Sequence, residues 1–352
     1  MYTDSTPTPE QFDLGRSFAA RRFAFCDTNH AAVKTLFNIC ATYAAHGLAQ
    51  GKHIPDLPAP DEQPGPSQYP KAAADPFDLL RSEAGLPSLP TIYAELQDVI
   101  VKPAASTNDV AHVISRDTSL AAFLLRLVNS AFYSFPSQIE TISRAVTLVG
   151  TSQLTTLAMG TTVMKLFSDI PDELVSMESS WRHSIATGIL ASNLARRIGE
   201  TDPERLFVAG LLHDVGLLTM YQTIPDKSRL VHSFIREHGA ILHTAEMNIL
   251  GFDHAMLGGM MLRKWNLPFP LINAVLRHHT PDKSEKHIEP ALIHIANTLA
   301  GAMDCSATGE PFIQPLNLIA WNATGLTPED LKETARESET QIAEACQALL
   351  CI

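Results

Sequence analysis

Apolar positions along this chain recur at three- and four-residue spacing rather than alternating, and that period predicts helices over most of its length. Near the N-terminus, Val33, Leu36, Phe37, Cys40, Tyr43 and Ala44 mark one amphipathic helix. A lone helix of that length cannot bury its own apolar stripe, so it must pack on the main body or on a partner, and the main body is the expectation. From Leu79 onward helices are expected near 91–101, 108–116, 119–130, 138–149, 152–167, 180–198, 203–214, 226–238, 253–265, 268–278, 288–303 and 328–350. Asp202-Pro203-Glu204 and Thr327-Pro328-Glu329-Asp330 each place a capping side chain, a first-turn proline and an acid in order, which marks a helix start. Gly199 and Gly239 sit where helices should stop. There is no run of alternating strands and no internal repeat, so the expected fold class is all-α.

Proline divides the chain. Seven of its 23 prolines fall between Pro55 and Pro76, a density that no helix sustains and that predicts an extended linker. The division that follows is an N-terminal helical segment (1–53), a proline-rich linker (54–78) and a helical module (79–352). The last helix, with Leu331, Ile342, Ala345, Leu349 and Leu350, can pack on the module or mediate association, and spacing alone leaves both open.

Composition narrows the function classes. The 352 residues are 45% hydrophobic, enough for a sizeable core. The net charge of −12 argues against a surface built to neutralise many phosphates, so nucleic acid is not the expected partner. No apolar run approaches the roughly 20 residues of a bilayer span, and the start of the chain, with Asp4 and Glu10, lacks the pattern of a secretory signal. Cys26, Cys40, Cys305, Cys346 and Cys351 are odd in number and widely spaced, which reads as reduced thiols in a cytoplasmic protein.

The 14 histidines change the picture most. His183, His213-Asp214, His254 and His278-His279 fall near expected helix ends, and donors of this type converging from several helices suit Zn, Fe or Mn. His183 and His213 lie on consecutive helices roughly 24 Å and 15 Å from the turn that joins them, so contact requires tilt or an extended joint. His112, His232, His243 and His287 are read as surface or hydrogen-bonded residues. Met256, Met260 and Met261 are read as core, and Gly258-Gly259 as a place of close helix packing.

Ordered motifs carry a family resemblance across roughly residues 80–305. Gly-Leu-Leu-His-Asp-Val-Gly-Leu-Leu at 210–218 resembles the signature of the HD superfamily of metal-dependent phosphohydrolases. Further segments are similar to the HD-related output domain, HDOD: Gly85–Pro90, Ile114–Leu120, Leu127–Ala131, Ile142–Val146 with Leu148–Gly150, and Trp181–Ser184. Phe252–His254 through Gly258, Trp265–Pro268 and His278-His279 continue it. The resemblance implies a multi-helical HD-like fold in two packed lobes, an N-terminal helical lobe (79–175) and an HD-like lobe (176–305), with a C-terminal helical extension (306–352). By order along the chain, His183, His213 and Asp214 match the first metal ligands, and His254, His278 and His279 match the extra histidines of two-metal relatives.

Two positions depart from the enzymes of the superfamily. The last acid of the metal set is replaced by Asn297, a neutral and weaker ligand. A phosphate-facing lysine three residues beyond the Asp of the pair is replaced by Leu217, which offers nothing to the charge on a transferring phosphoryl group. The expectation is therefore a cytoplasmic signal-transduction module that is not catalytic, with signalling proteins as partners and a small phosphorylated ligand compatible with the site. One or two divalent ions (Fe, Mn, Zn or Ni) would be held by His183, His213, Asp214, His254, His278, His279 and Asn297. The alternative is a metal-dependent phosphodiesterase or phosphohydrolase acting on a nucleotide or cyclic dinucleotide, with Asp214 indispensable.

Overall fold

A computed structural model describes residues 6–60, 72–81, 90–101, 106–164, 166–167, 170–199, 202–284, 288–303 and 310–350. Those residues form eighteen α-helices and one short 3-10 turn, and no strand is found among them. The all-α expectation holds. Helix α1 (Pro9–Arg22) and α2 (Ala31–Ala49) form a hairpin, and α3 (Pro76–Arg81) follows the proline-rich stretch. A group of short helices comes next: α4 (Thr91–Val101), α5 (Thr107–Arg116), α6 (Thr118–Val128), α7 (Ile142–Val149) and α8 (Thr151–Met164). The second group is α9 (Met177–Arg197), α10 (Pro203–Leu212), α11 (Val215–Thr223), α12 (Pro225–His238), α13 (Leu242–Ile249), α14 (His254–Lys264), α15 (Phe269–Arg277) and α16 (Glu289–Ala302). The chain closes with α17 (Leu318–Thr324) and α18 (Pro328–Leu350).

Helix α9 is the axis of the molecule. It is buried almost all round from Ser180 to Ala195 and packs against α10, α16 and α18. Its apolar residues Ile185, Ile189, Leu190 and Leu194 are fully enclosed. The sequence-based offset between His183 and His213 is resolved by where α9 and α10 cross. Gly188 and Gly210 meet there: a Cβ on Gly210 would stand 2.5 Å from the Gly188 Cα. His183 lies five residues before that crossing and His213 three residues after it, about 8 Å and 5 Å along their helices. Both therefore reach the same point, and the joint around Gly199 (φ +69°) absorbs the remaining offset. A second close crossing joins α11 to α14, where a Cβ on Gly216 would stand 2.1 Å from the His254 carbonyl oxygen and 2.6 Å from the Gly258 nitrogen.

Several sequence expectations need correction. The segment before the prolines holds two helices, not one. Helix α1 starts with a Thr8–Gln11 capping box and Pro9, but it packs on α2 through Gly15 and Ala19, small residues that carry little apolar signal. The hairpin does pack on the main body, through α2 against α16 and α18. The described part of the proline-rich stretch is a strap rather than a free linker. Arg21 donates to the Leu57 carbonyl, Ala59 lies against Gly239, Lys227 Nζ donates to Ala73 O at 2.8 Å, and Ala74 N to Leu250 O at 3.2 Å. Residues 61–71 lie outside the described set, as do most of 85–90, His287, Cys305 and Cys351.

The helix expected over 138–149 starts only at Ile142, behind the Thr141 cap, and that over 152–167 ends at Met164. The one expected over 203–214 stops at Leu212, and α11 begins afresh at Val215, so His213-Asp214 occupies a break between helices. Helices α3, α11, α13 and α17 had no separate prediction because each is short and flanked by turns. Helix α18 packs on its own chain: Leu331, Ile342, Ala345 and Leu349 are buried, Arg197 pairs with Glu333 and Glu337 at 2.6 Å each, and Asn193 donates to Ser338 and Gln341. Met261 is core, with its sulfur accepting from Thr219 Oγ1, but Met256 is 40% exposed, because its position on α14 faces away from α11 and α15.

The glycine crossing is the part of the fold on which the histidine convergence depends. Gly210→Ala is expected to lower stability by about 1–3 kcal/mol through overpacking against Gly188, read as a shift in the denaturant midpoint at unchanged slope. An unshifted midpoint would mean that the two helices can separate without cost.

Candidate metal centre

Four helix ends and one mid-helix position supply the polar cluster. His213 and His278 are the C-cap residues of α10 and α15, where the last carbonyls of a helix have no partner within it. Each imidazole satisfies one of them: His213 Nδ1–H donates to Gly210 O and His278 Nδ1–H to Val275 O, both at 2.7 Å. His254 opens α14 directly after the Asp253 cap, and its Nδ1–H donates to Glu246 Oε2 at 2.7 Å. His279 Nδ1–H donates to Gln314 Oε1 at 2.8 Å. With the proton of each neutral ring held at Nδ1, the Nε2 lone pairs of all four point inward.

Asp214 sits at the centre of these rings. Its Oδ1 lies 3.2 Å from His213 Nε2, 3.3 Å from His254 Nε2 and 3.9 Å from His278 Nε2, and its Oδ2 lies 3.7 Å from His183 Nε2. His183 Nε2 is 3.2 Å from His213 Nε2, and His279 Nε2 is 2.8 Å from His254 Nε2. His278 Nε2 is buried and has no hydrogen-bond partner among the described residues. The donors fall into two triads, His183 with His213 and Asp214, and His254 with His278 and His279, each within 4.8 Å.

This donor set fits a metal. Nitrogens bound about 2.1 Å from one ion stand about 3.0–3.4 Å apart, which is the range of the His183–His213 and His213–Asp214 separations. Two inward lone pairs at 2.8 Å repel unless a proton or a cation lies between them, and an orphaned buried ring nitrogen calls for the same remedy. Mixed imidazole and carboxylate donors suit Zn, Fe, Mn or Ni rather than Mg or Ca. The two triads, sharing Asp214 between them, could hold one or two such ions.

Electrostatics agree with the geometry. Burial alone would raise the Asp214 carboxyl, but His213 and His254 outweigh it and hold it well below the usual carboxylate range. Burial opposes charge on His254, yet Glu246 and Asp214 on either side push it well above the ordinary imidazole value. The same two carboxylates favour positive charge at this point of the cluster. His278 and His279 are held well below the ordinary value, first by burial and then by neighbouring imidazoles.

The cluster forms one wall of a cavity open to about 30 Å³ of water-sized volume, room for roughly two waters or ions. Arg22, His243, Asn297, Glu310 and Gln314 complete its lining. Asn297 thus faces the cavity, as its candidacy required. Leu217 does not; it is buried in the core at 2% exposure.

The structure brings together all seven sequence candidates and adds others. His243, read as ordinary, stacks on His279 with ring centroids 4.2 Å apart and lines the cavity. His232 keeps the ordinary reading, bonded to the Tyr221 hydroxyl at 2.9 Å, and His112 is exposed. Glu246 is fully buried and accepts from both the ring and the backbone N–H of His254. His294 Nδ1 donates to His278 O at 2.8 Å while its Nε2 accepts from Asn317 N at 2.9 Å, and burial pushes the ring down to about 4, so it stays neutral and braces the site. Glu310, raised to about 7 by burial and by Asp214, faces the same space. No spacing rule flags Glu246 eight residues before its histidine, or Arg22, Glu310 and Gln314 from remote loops and helices.

An all-helical body with a histidine–aspartate cluster at helix ends is the HD-like architecture. The chain belongs to the HDOD family: the HDOD domain model matches residues 86–281. Over 212 residues it is 27% identical to an uncharacterized protein of Treponema pallidum (strain Nichols), an alignment covering 60% of this chain and 41% of that longer protein. Its fold matches the crystal structure of a candidate phosphohydrolase from Shewanella amazonensis SB2B, with a TM-score of 0.63, 25% identity, and 77% of this chain and 97% of the other covered. A candidate signal-transduction protein from Marinobacter aquaeolei VT8 matches with a TM-score of 0.58 and 21% identity, over 94% of this chain and 68% of its own. Among the described residues no helix is long and apolar enough to cross a membrane.

Glu246 orients a candidate ligand without reaching the cavity's donors. Glu246→Gln should weaken binding of Zn or Mn by about 10–100-fold, measured by competition with a chelator of known affinity. Unchanged affinity would remove His254 from the ligand set.

Proposed function

We propose that this protein is a cytoplasmic signal-transduction module of the HDOD type that works by binding rather than by turnover, with one or two divalent transition metals held in its histidine–aspartate cluster. The observation that carries the reading is the pairing of an intact inward-facing donor set with one loss on its wall: position 297 carries a neutral amide. Metal can be held with His183, His213, Asp214, His254, His278 and His279, while the charge stabilisation that phosphoryl transfer requires is reduced. The signal-transduction name of the Marinobacter protein supports the regulatory side of this reading. The partners proposed are other signalling proteins; the net charge of −12 speaks against nucleic acid.

The competing reading is a metal-dependent phosphohydrolase acting on a nucleotide or cyclic dinucleotide. It is favoured by the completeness of the six donors and by the name of the Shewanella protein. Protein purified without a metal-affinity tag should contain Fe, Mn, Zn or Ni by elemental analysis and should not hydrolyse bis-p-nitrophenyl phosphate or cyclic dinucleotides with any of these metals restored. Turnover that disappears in Asp214→Ala would overturn the regulatory reading in favour of the enzyme. Protein that takes up no metal under any loading condition would remove both. Asn297→Asp should tighten metal binding by returning a charged ligand to the wall, and equal affinity in the variant would show that position 297 makes no contact with the ion.

A further inference from the structure

His279 Nδ1–H donates to Gln314 Oε1 at 2.8 Å, and that bond leaves the Nε2 lone pair of His279 facing His254 Nε2, 2.8 Å away. Thr298 settles which end of the Gln314 amide faces His279. Its hydroxyl donates to His294 O at 2.8 Å, so its oxygen is left to accept, and Gln314 Nε2–H reaches it at 3.4 Å. The amide oxygen is thereby aimed at His279, and an acceptor in that place selects the tautomer with the proton on Nδ1.

Gln314 has no helix or strand to hold it, because residues 310–317 run as irregular chain into α17. Their position is set from outside, at one end by the N-terminal hairpin. Ile313 N–H donates to Arg22 O at 2.8 Å, and the Arg22 guanidinium donates to Gly301 O at 2.8 Å and Glu310 O at 3.3 Å. The Glu310 carboxylate lies in the field of the same guanidinium. Cys26 Sγ stands 3.5 Å from Ile313 O and 3.8 Å from Gln314 O, and Phe25 meets Phe312 edge to face with ring centroids 5.0 Å apart. At the other end Asn317 N–H donates to His294 Nε2 at 2.9 Å, and the Asn317 side-chain amide donates to Asp282 at 2.7 Å. The hairpin and the 310–317 stretch both lie outside the segment matched by the HDOD model. His183 and His213, by contrast, are placed by the α9–α10 crossing at Gly188 and Gly210.

We propose that the end of α1, with the turn after it, and the 310–317 stretch form a clasp that regulates the metal centre. Gln314 is the positioning residue for His279, and the seating of the hairpin sets how tightly the His254–His278–His279 triad holds its ion. Lifting the hairpin slackens that triad, while the His183–His213–Asp214 triad keeps its grip. Coupling of this kind is reciprocal, so an ion in the first triad also tightens the clasp. This inference rests on the metal-binding reading above.

The test uses the full-length protein in two forms: loaded with Zn, with affinities from chelator competition, and metal-free with 15N-labelled histidine. The metal-free wild type should show His279, assigned by its loss in His279→Asn, with the proton on Nδ1. Gln314→Leu should move that proton to Nε2 and weaken one class of bound Zn by about 10–100-fold. Gln314→Glu, which keeps the acceptor, should retain the tautomer and bind Zn at least as tightly as the wild type. Phe25→Ala, outside the cavity lining, should weaken the same class about 5-fold or more. Zn should slow hydrogen exchange of the Ile313 amide in the wild type and no longer do so in Phe25→Ala. Arg16→Gln, exposed on α1, should change neither readout. Thermal midpoints identify a variant that has come apart, and Cys26→Ala then carries the comparison for the hairpin. Gln314→Leu with wild-type Zn affinity and tautomer overturns the proposal. Equal losses in Gln314→Leu and Gln314→Glu do so too, since Gln314 then serves packing alone. Wild-type affinity in the hairpin variants likewise overturns it, by detaching the hairpin from the centre. A wild type that takes up no Zn overturns the metal-binding reading and the regulation with it, while the tautomer in Gln314→Leu still decides whether Gln314 positions His279.

Discussion

The orientation of four imidazoles organises this molecule. His213, His254, His278 and His279 each commit Nδ1–H to an acceptor that the fold already presents: two helix-end carbonyls, a buried carboxylate and a loop amide. Their Nε2 lone pairs have nowhere to point but at one another and at Asp214. Such an arrangement is self-repulsive unless positive charge enters it, and either a proton on His254 or a metal ion can do so. The helices that carry the rings meet closely, Gly188 with Gly210 and Gly216 with Gly258.

Around that centre the chain is layered by function. The outward-facing Nδ1–H of His254 is held by the buried Glu246 carboxylate, and His294 holds the main-chain carbonyl of His278, so a second set of buried polar groups braces the donors. The 310–317 stretch closes one side, with Gln314 on His279 and the Asn317 N–H on His294. The α1–α2 hairpin closes another, through Arg22. Two segments remote from the cluster in sequence, the end of α1 and the 310–317 stretch, line the same cavity.

Five of the residues expected to bind metal, His213, Asp214, His254, His278 and His279, sit at helix ends, where local signals made them legible. His213-Asp214 lies between Leu212 and Val215, and His254 follows a capping Asp. Their helices also show strong three- and four-residue periodicity, which is why most of the boundaries after residue 90 fall within a few residues of expectation. Helix α1 escaped notice because Gly15 and Ala19 form its packing face, and α11 because it follows α10 with only two residues between. His243 escaped because nothing in its neighbourhood distinguishes it from a surface histidine.

By itself, the order of residues determined that the chain would be helical, and its ordered motifs carried the resemblance to the HDOD family. Those are properties of local period and motif, which act over a few turns of helix. Only the tertiary structure decided which way each imidazole faces, that Glu246 and Gln314 fix two of those directions, and that Arg22 and Glu310 line the same cavity. Such contacts join residues far apart in sequence, and burial and close helix crossings, not spacing along the chain, bring them within a hydrogen bond of one another.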